Sequence, residues 1–217
     1  MSKYAIVDLE MCKVPRCCRS DTYHWATETI QIGAALVDEN LEIIDEFITY
    51  VHPQYGSIDN YIQNLTGITV FDVNNACNMN DALQKFVNWL PEDTICVSWS
   101  ENDEKQIRHE ITSKGIDIPR LNQLLDNWQD CQKTFATKMD TTRKYRLSEA
   151  LVAADIMFDE HAHDGLVDAK NTALLFIKMK KEPILVLNKY YRKASEDVTR
   201  TVYTIGDIFS KINVAFA

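Results

Sequence analysis

The sequence predicts a layered fold of the α/β or α+β class, built on one mixed sheet. Apolar and β-branched runs of strand length dominate the first half of the chain, whereas helical periodicity dominates from Asp103 onward. In addition, the two longest strand candidates are separated only by Glu39 and Asn40, a connection short enough for a hairpin. Strands first and helices interleaved later indicate helices packed against a sheet.

The strand candidates follow one another along the first half of the chain, with a short last one further on. They are 4–7, 29–38, 41–50, 94–99 and 127–129. The first three are expected to pair antiparallel. The first is short and apolar, as a buried strand should be, and it delivers Asp8 and Glu10 at its end.

Helices are predicted for the segments in which apolar residues recur at helical spacing. These are 81–90, 103–113, 121–125, 133–138, 147–154 and 165–181. In the first, Leu83, Phe86 and Leu90 fall on one face, which should pack against the sheet. Pro183 ends the last helix, because proline lacks the N–H that a helix interior needs.

Length and charge restrict the function. The 217 residues are 46% hydrophobic, enough for one globular domain with a short appendage. The formal net charge of −9 argues against a protein that holds nucleic acid through a large basic face, but not against an enzyme that does so through metal ions. No apolar run approaches the ~18 residues of a membrane span and no signal-peptide core is evident, so a cytoplasmic protein with six reduced cysteines and no membrane contact is expected.

Asp8 and Glu10 are the first candidate site residues. Two residues apart on a strand, their side chains lie on the same face of the sheet. Such a pair is unfavourable unless a cation neutralises it or one acid is protonated, and carboxylate oxygens suit Mg²⁺ or Mn²⁺. A strand end running into solvent is the alternative, because so short a pattern also recurs by chance.

Two further acids and a histidine extend this pattern. Asp103 opens a helix on the same side as Ile107, and therefore faces inward, although a first-turn acid near the helix dipole is the alternative. Asp168 lies on the inward stripe of the last helix, five residues after His163. A histidine beside carboxylates can accept a proton from water, whereas a solvated loop histidine is the simpler interpretation.

The order Asp-x-Glu, a helix-opening Asp and then His-x4-Asp resembles the DEDDh 3′–5′ exonucleases of the DnaQ-like or RNase T-like group. The residues that carry the resemblance are Asp8, Glu10, Asp103, His163 and Asp168. The segments 28–34 and 65–69 are similar to further signatures of the group, and 99–103 is similar to its KapD-like and small-RNA or histone-mRNA branch. The resemblance implies a ribonuclease H-like α/β fold, with a five-stranded sheet of three antiparallel and then parallel strands and helices on both faces.

The resemblance also implies a mechanism with two divalent metal ions, Mg²⁺ or Mn²⁺. Asp8 would bridge the ions, Glu10 and Asp168 would complete one ion site, and Asp103 would serve the other. His163 would take the proton of the attacking water; His161 lies two residues too early for this role. The products would be nucleoside 5′-monophosphates, released from single-stranded nucleic acid with a free 3′ end, with RNA favoured over DNA.

Substrate contacts are expected from groups near the acids and from one basic segment. Leu9, Met11 and Trp99 are candidates for stacking on the terminal bases. Arg143, Lys144 and Arg146 form the densest basic cluster before the tail; they either contact phosphate or lie in a solvated loop. Met11 departs from the small or polar residue common at this position in the branch.

Two other function classes stay open. The first is a binding or regulatory protein that retains the fold and acts through an unidentified protein partner; the intact set of acids and His163 argues against it. The second is a ribonuclease H-like endonuclease, which shares the metal chemistry but does not require His-x4-Asp.

The end of the chain is expected to differ from the rest. We predict an exonuclease domain over 1–183 and a C-terminal extension over 184–217. The extension is too apolar for a disordered linker and contains helical spacings of apolar residues. It should dock on its own domain, with a symmetric homodimer as the alternative.

Overall fold

A computed structural model describes residues 2–158, 163–189 and 191. Its centre is a five-stranded sheet in the order β3-β2-β1-β4-β5. The strands are β1 Lys3–Lys13, β2 Thr27–Val37, β3 Ile43–Tyr50, β4 Thr94–Ser98 and β5 Gln129–Asp130. β1, β2 and β3 pair antiparallel, whereas β4 lies parallel to β1 and β5 lies parallel to β4. The predicted sheet of three antiparallel and then parallel strands is confirmed.

The helices surround this sheet. They are α1 Asn60–Thr66, α2 Val70–Asn74, α3 Met79–Trp89, α4 Glu101–Lys114, α5 Pro119–Asp126, α6 Cys131–Lys138, α7 Leu147–Ala153 and α8 Gly165–Lys181, with a 3-10 turn at Arg16–Cys18. Six of these helices begin with a side chain that accepts a backbone N–H, among them α3 with Asn78, α4 with Ser100 and α8 with Asp164. The main predicted helices are present, and their boundaries differ by a few residues.

Alternation along β1 divides the core into two layers. Ala5, Val7 and Leu9 face one side and pack with residues of α3, α4 and α5. Ile6 faces the other side and packs with residues of α6, α7 and α8. Helices therefore cover both faces of the sheet, as predicted, and the alternation places Asp8 and Glu10 on the side of α8.

Two local expectations were wrong. β1 does not end at Asp8 and Glu10 but continues to Lys13, because its second half pairs with β2 through a register shift between Glu10 and Met11. The β2–β3 connection is also longer than Glu39 and Asn40. The side chain of Asp38 accepts hydrogen bonds from the N–H groups of Asn40 and Glu42, which stabilises a wider turn.

The first residues after α8 lie against the domain. Leu185 is buried among residues of α7 and α8, and Tyr191 packs against the same cluster. The N–H of Asn188 donates to the carbonyl of Ala153 at 2.9 Å. Residues 190 and 192–217, which carry most of the predicted extension, lie outside the described residues. Among the helices that are described, none is both long enough and apolar enough to cross a bilayer.

Candidate functional site

β1 presents two carboxylates to the N-terminal end of α8. Asp8 lies opposite Gly33 of β2 and is half-buried, and Glu10 lies opposite Gln31 and is 8% exposed. Both acids are in the middle of a paired strand rather than at a free end. The interpretation of Asp8-x-Glu10 as a strand end in solvent is therefore wrong.

α8 approaches the sheet closely because glycines meet at the contact. A Cβ atom on Gly33 would overlap the backbone of Gly165 and Leu166, and one on Gly165 would lie 3.1 Å from the carbonyl oxygen of Asp8. The N–H of Gly165 donates to Oε1 of the fully buried Gln31 at 2.7 Å. These contacts fix the first turn of α8 against the two acids of β1.

The first turn of α8 and the residues before it supply the next groups. The backbone N–H of His163 donates to Oδ2 of Asp168 at 2.9 Å, and His163 has a positive φ of 70°. Asp164 caps the helix by accepting the N–H groups of Leu166 and Val167. Single ligand atoms of Glu10, His163 and Asp168 all lie within 4.8 Å of one another.

Asp103, which belongs to α4, contacts the same strand, β1. α4 begins after the cap Ser100, and Asp103 stands in its first turn, 6% exposed. Its Oδ1 accepts the backbone N–H of Leu9 at 3.2 Å. Asp103 is therefore not simply a first-turn acid that interacts with its own helix, because it bonds to the residue between Asp8 and Glu10.

Burial is the main reason why the pKa of each of the four acids is raised, and neighbouring charges add to it. Burial raises the pKa of Glu10 to about 8, with further increases from Asp168, Asp164 and Asp103. Burial raises the pKa of Asp103 to about 7, although the N–H of Leu9 opposes this. Burial, followed by the charge of Asp103, holds the pKa of Asp8 well above its usual range. Burial also raises the pKa of Asp168, against the stabilising N–H of His163.

This donor set fits a hard divalent cation. Within the described residues, no lysine or arginine forms an ion pair with Asp8, Glu10, Asp103 or Asp168. Carboxylate oxygens are the ligands that Mg²⁺ and Mn²⁺ prefer. A bound cation would supply the positive charge that the surrounding protein does not, and would return the carboxyl groups to their ionised form.

A cavity of about 590 Å³ is lined by residues of both the acidic cluster and the basic segment. They include Asp8, His163 and Asp168 from the first and Lys144 and Arg146 from the second. The indole N–H of Trp99 and the amide of Gln132 both donate to the carbonyl of Tyr145, at 3.2 and 2.7 Å. This double contact fixes the segment that carries Lys144 and Arg146.

The other predicted substrate contacts are distributed unevenly. Trp99 lines the cavity. Leu9 is buried in the core, with 3% of its surface exposed, so its side chain offers no stacking surface in this structure. Arg143 forms an ion pair with Glu149 and lies over the ring of Tyr145. Met11 is half-buried, directly after the register shift of β1.

Sequence reasoning missed several groups at this site. Asp164 raises the pKa of Glu10 and begins α8; a signal was available, since an aspartate directly before a helix is a common cap. Gln31 gave no such signal, because its contact with Gly165 joins positions far apart in the chain. Gln132 and Tyr145 also act through a backbone carbonyl that no side-chain pattern reveals. His161 lies outside the described residues.

Known proteins resemble this chain over most of its length. A family model described as exonuclease, RNase_T, matches residues 6–176. ERI1 exoribonuclease 2 of Danio rerio is 32% identical over 177 residues, covering 70% of this chain and 31% of that protein. The human ERI1 exoribonuclease 2 is 29% identical over 189 residues, covering 75% of this chain and 27% of that protein. The chain thus spans about a third or less of the length of these relatives.

Solved structures share the fold. The nuclease domain of 3′hExo, a DEDDh family member bound to rAMP, superimposes with a TM-score of 0.71 at 22% identity, covering 86% of this chain and 96% of that one. E. coli exonuclease I in complex with a dT13 oligonucleotide superimposes with a TM-score of 0.61 at 17% identity, covering 83% of this chain and 41% of that one. Both have nucleotide or oligonucleotide bound, and at these identities they support the fold alone.

Proposed function

The chain belongs to the RNase T exonuclease family, and on this premise we propose that it is a metal-dependent 3′–5′ exonuclease. It removes nucleoside 5′-monophosphates from the free 3′ end of single-stranded nucleic acid. RNA is favoured over DNA, since the two relatives described above are exoribonucleases by name. The domain that does this is residues 1–183, and 184–217 form an extension to it.

One observation carries the proposal more than any other. Four carboxylates from three separate elements, β1, α4 and α8, converge where no lysine or arginine of the described residues pairs with them. Folding such a group is unfavourable by itself, because each buried charge raises the energy of the next. Binding of a cation would remove this repulsion and so stabilise the folded arrangement of the four carboxylates.

Asp8, Glu10, Asp103 and Asp168 are the residues that would hold divalent ions. When bound, such ions neutralise the phosphate charge, favour ionisation of the attacking water and stabilise the leaving 3′ oxygen. The protein's own contribution is placement. The Gly33–Gly165 contact and the Gln31 hydrogen bond set α8 against β1, and the Leu9 N–H sets Asp103 against the same strand.

His163 is the group that takes a proton from the attacking water. It lines the cavity, is exposed, and a ring nitrogen lies within 4.8 Å of carboxylate oxygens of Glu10 and Asp168. Its backbone is fixed by the hydrogen bond to Asp168, so the ring starts from a defined position. A neutral imidazole can accept a proton from water and return it to solvent.

The cavity is where the nucleic-acid substrate would bind. Lys144 and Arg146 line it and would contact backbone phosphates. Trp99 also lines the cavity, but because only 8% of its surface is exposed it would contribute a small apolar contact rather than a stacking platform. Gln132 is a positioning residue for the segment that carries the two cations, because its amide bonds to the Tyr145 carbonyl between them. The two basic side chains in the cavity, together with metal ions at the acids, would allow a chain with a net charge of −9 to bind a polyanion.

A labelled-oligonucleotide assay tests the proposal. The purified chain is incubated with Mn²⁺ or Mg²⁺ and single-stranded RNA or DNA of matched sequence carrying a 3′-terminal radiolabelled nucleotide. We expect the label to appear as nucleoside 5′-monophosphate from the first turnover, faster from RNA, and not at all with chelator. An otherwise identical strand ending in a 3′-phosphate tests the need for a free 3′ hydroxyl. Internal cleavage products that carry the label would indicate an endonuclease, and no product with any metal would favour the binding protein.

A further inference from the structure

Two adjacent thiols lie on a turn remote from the core packing of the sheet. Cys17 and Cys18 belong to the 3-10 turn Arg16–Cys18, and their Sγ atoms are 3.9 Å apart. Both side chains are exposed. The pair follows the end of β1 by a few residues and is not among the residues that line the candidate active-site cavity.

The turn that carries the pair is held by several hydrogen bonds. The N–H of Cys18 donates to the carbonyl of Pro15 at 2.9 Å. The guanidinium of Arg19 donates twice to the carbonyl of Val14, at 3.1 and 3.0 Å. The backbone on both sides of the two cysteines is therefore fixed, so that their sulfur atoms are presented together rather than on a free loop.

The remaining cysteines differ from this pair in access. All six cysteines lie within the described residues and all are free thiols. Cys12, Cys96 and Cys131 are buried, and burial raises the pKa of Cys12 and of Cys96 to about 12. Cys77 is half-buried and accepts a hydrogen bond from the ammonium of Lys85. Only Cys17 and Cys18 offer two exposed sulfurs to one ligand.

The geometry distinguishes a disulfide from a chelate. Adjacent Cα atoms are about 3.8 Å apart across a trans peptide, below the range of about 4.4–6.8 Å that suits a disulfide. Two sulfurs bound to one pyramidal atom, with bonds of about 2.3 Å and an angle of about 100° between them, would stand about 3.5 Å apart. The observed distance is 3.9 Å, so a small rotation of the two exposed side chains brings the sulfurs to the separation that one bridging atom needs.

We propose that Cys17 and Cys18 form a bidentate site for one soft, thiophilic atom, of the chemical class represented by trivalent arsenicals. The ligand class is opposite to that of the carboxylate cluster, which offers hard oxygen atoms. With a monosubstituted arsenic(III) compound, two sulfurs complete the coordination and no further protein ligand is needed. The site does not depend on the nuclease activity.

Phenylarsine oxide is the probe for this site. Two S–H bonds break and two As–S bonds form, while the oxygen on arsenic leaves as one water molecule with the two thiol protons. Arsenic stays trivalent throughout, so the reaction requires no oxidant or reductant. Because the second sulfur binds within one molecule, the chelate should resist a competing monothiol about 10²-fold or more better than a single cysteine does.

The test uses intact mass and competition. The reduced 217-residue chain is treated with one equivalent of phenylarsine oxide and then with increasing 2-mercaptoethanol or with the dithiol 2,3-dimercaptopropanol. We expect one phenylarsenic group per chain, retained against the monothiol and released by the dithiol. Cys17→Ser and Cys18→Ser should each lose the adduct at about 10²-fold lower monothiol concentration, whereas Cys77→Ser, the matched control, should behave like the parent.

Three outcomes would overturn the proposal. They are an adduct that persists in the Cys17→Ser/Cys18→Ser double variant, an adduct in the parent that the monothiol removes as easily as in the single variants, and no adduct at all. Melting temperatures of all variants are measured alongside, and equal values are expected because both side chains are exposed.

Discussion

Two groups of wholly or partly buried acids in this protein differ in how their negative charge is compensated. At one end of α4, Asp103 joins Asp8, Glu10 and Asp168, and no lysine or arginine of the described chain pairs with them. Near its other end, Glu110 and Glu28 are fully buried. There, Nζ of Lys114 lies 2.6 Å from Glu110 and 2.7 Å from Glu28.

The second group is also satisfied by backbone donors. Glu28 accepts the N–H groups of Gln54, Tyr55 and Gly56 at 2.6–2.8 Å, and Glu110 accepts the N–H of Thr29 at 2.8 Å. This network ties the segment after β3 to β2 and α4. Burial of acids alone therefore does not indicate a metal site, since Glu28 and Glu110 are buried and have an internal cation. What distinguishes the cluster at Asp8 is that no lysine or arginine of the described residues compensates its charge, so that under the proposed function the cation comes from outside the protein.

The largest expected effect is on turnover when one acid of the first group is removed. Asp8→Asn and Asp168→Asn keep the shape of the side chain but remove a charged ligand, so nucleotide release should fall below detection. The same variants should melt at or above the parent temperature without metal, because they relieve repulsion within the cluster. Release of labelled nucleotide and thermal melting are measured in parallel. A variant that digests at the parent rate would remove Asp8 or Asp168 from the site.

The second-largest effect is expected at His163, whose replacement should reduce turnover without weakening metal binding. His163→Ala should reduce turnover by roughly 10²–10⁴-fold, the usual contribution of a general base, because carboxylates and not the imidazole hold the ions. Affinity for Mn²⁺ should change little. His161→Ala is the control and should leave turnover close to that of the parent. If the two histidine variants exchange these effects, the assignment by spacing is incorrect.

Replacing Lys114 should leave Glu28 and Glu110 without a compensating cation, as the acids at Asp8 are, and should therefore destabilise the fold. Lys114→Met leaves two buried carboxylates without their cation and should lower the free energy of unfolding by about 3–5 kcal/mol, measured by urea denaturation. Adding Glu110→Gln to Lys114→Met should recover part of the loss. Lys133→Met, which removes an exposed partner of Glu101, is the control and should have little effect. Equal effects of the two lysine variants would contradict the distinction between the groups.

Stability of the metal-free protein should depend on pH through the first group. The pKa of Glu10 is raised from its ordinary 4.5 to about 8, and that of Asp103 from 3.8 to about 7. At a pH between the ordinary and the raised pKa of either acid, the folded chain binds more protons than the unfolded chain. The free energy of unfolding therefore falls as the pH rises from the ordinary pKa values toward the raised ones. Melting temperature in chelator should therefore decline from pH 5 to pH 8, and less steeply for Glu10→Gln. Mn²⁺ should restore it at pH 8; a flat profile would show that these acids are already compensated.

Much of this site was predictable from the sequence, because its chemistry resides in side chains at fixed spacing. The pattern that runs from Asp8 and Glu10 to Asp168 led to the exonuclease group, and the family match and the ERI1 relatives confirm that resemblance. The arrangement of three antiparallel strands followed by parallel strands was predicted from the strand pattern and the same resemblance, whereas the order of the strands in the sheet was not predicted. The inward placement of Asp103 followed from helical periodicity alone.

The position of α8 against the sheet, the full length of β1 and the burial of Leu9 could not be predicted, because they depend on contacts between segments that are distant in the sequence. The approach of Gly165 to Gly33 and its hydrogen bond to Gln31 connect positions more than a hundred residues apart. The continuation of β1 to Lys13 depends on a register shift against β2, which hydrophobic alternation does not encode. The burial of Leu9 likewise follows from the helices that cover that face of the sheet.

The most direct test of the central claim is a titration of the metal-free protein with Mn²⁺, with free ion followed by electron paramagnetic resonance near pH 7.5. Three proteins are compared: the parent, Asp8→Asn, and Glu101→Gln, whose carboxylate already has Lys105 and Lys133 as partners at 2.7 and 2.9 Å. We predict that the parent and Glu101→Gln bind Mn²⁺ alike, and that Asp8→Asn binds at least about tenfold more weakly. Equal binding by the parent and Asp8→Asn would contradict the claim that the uncompensated acids form the metal site.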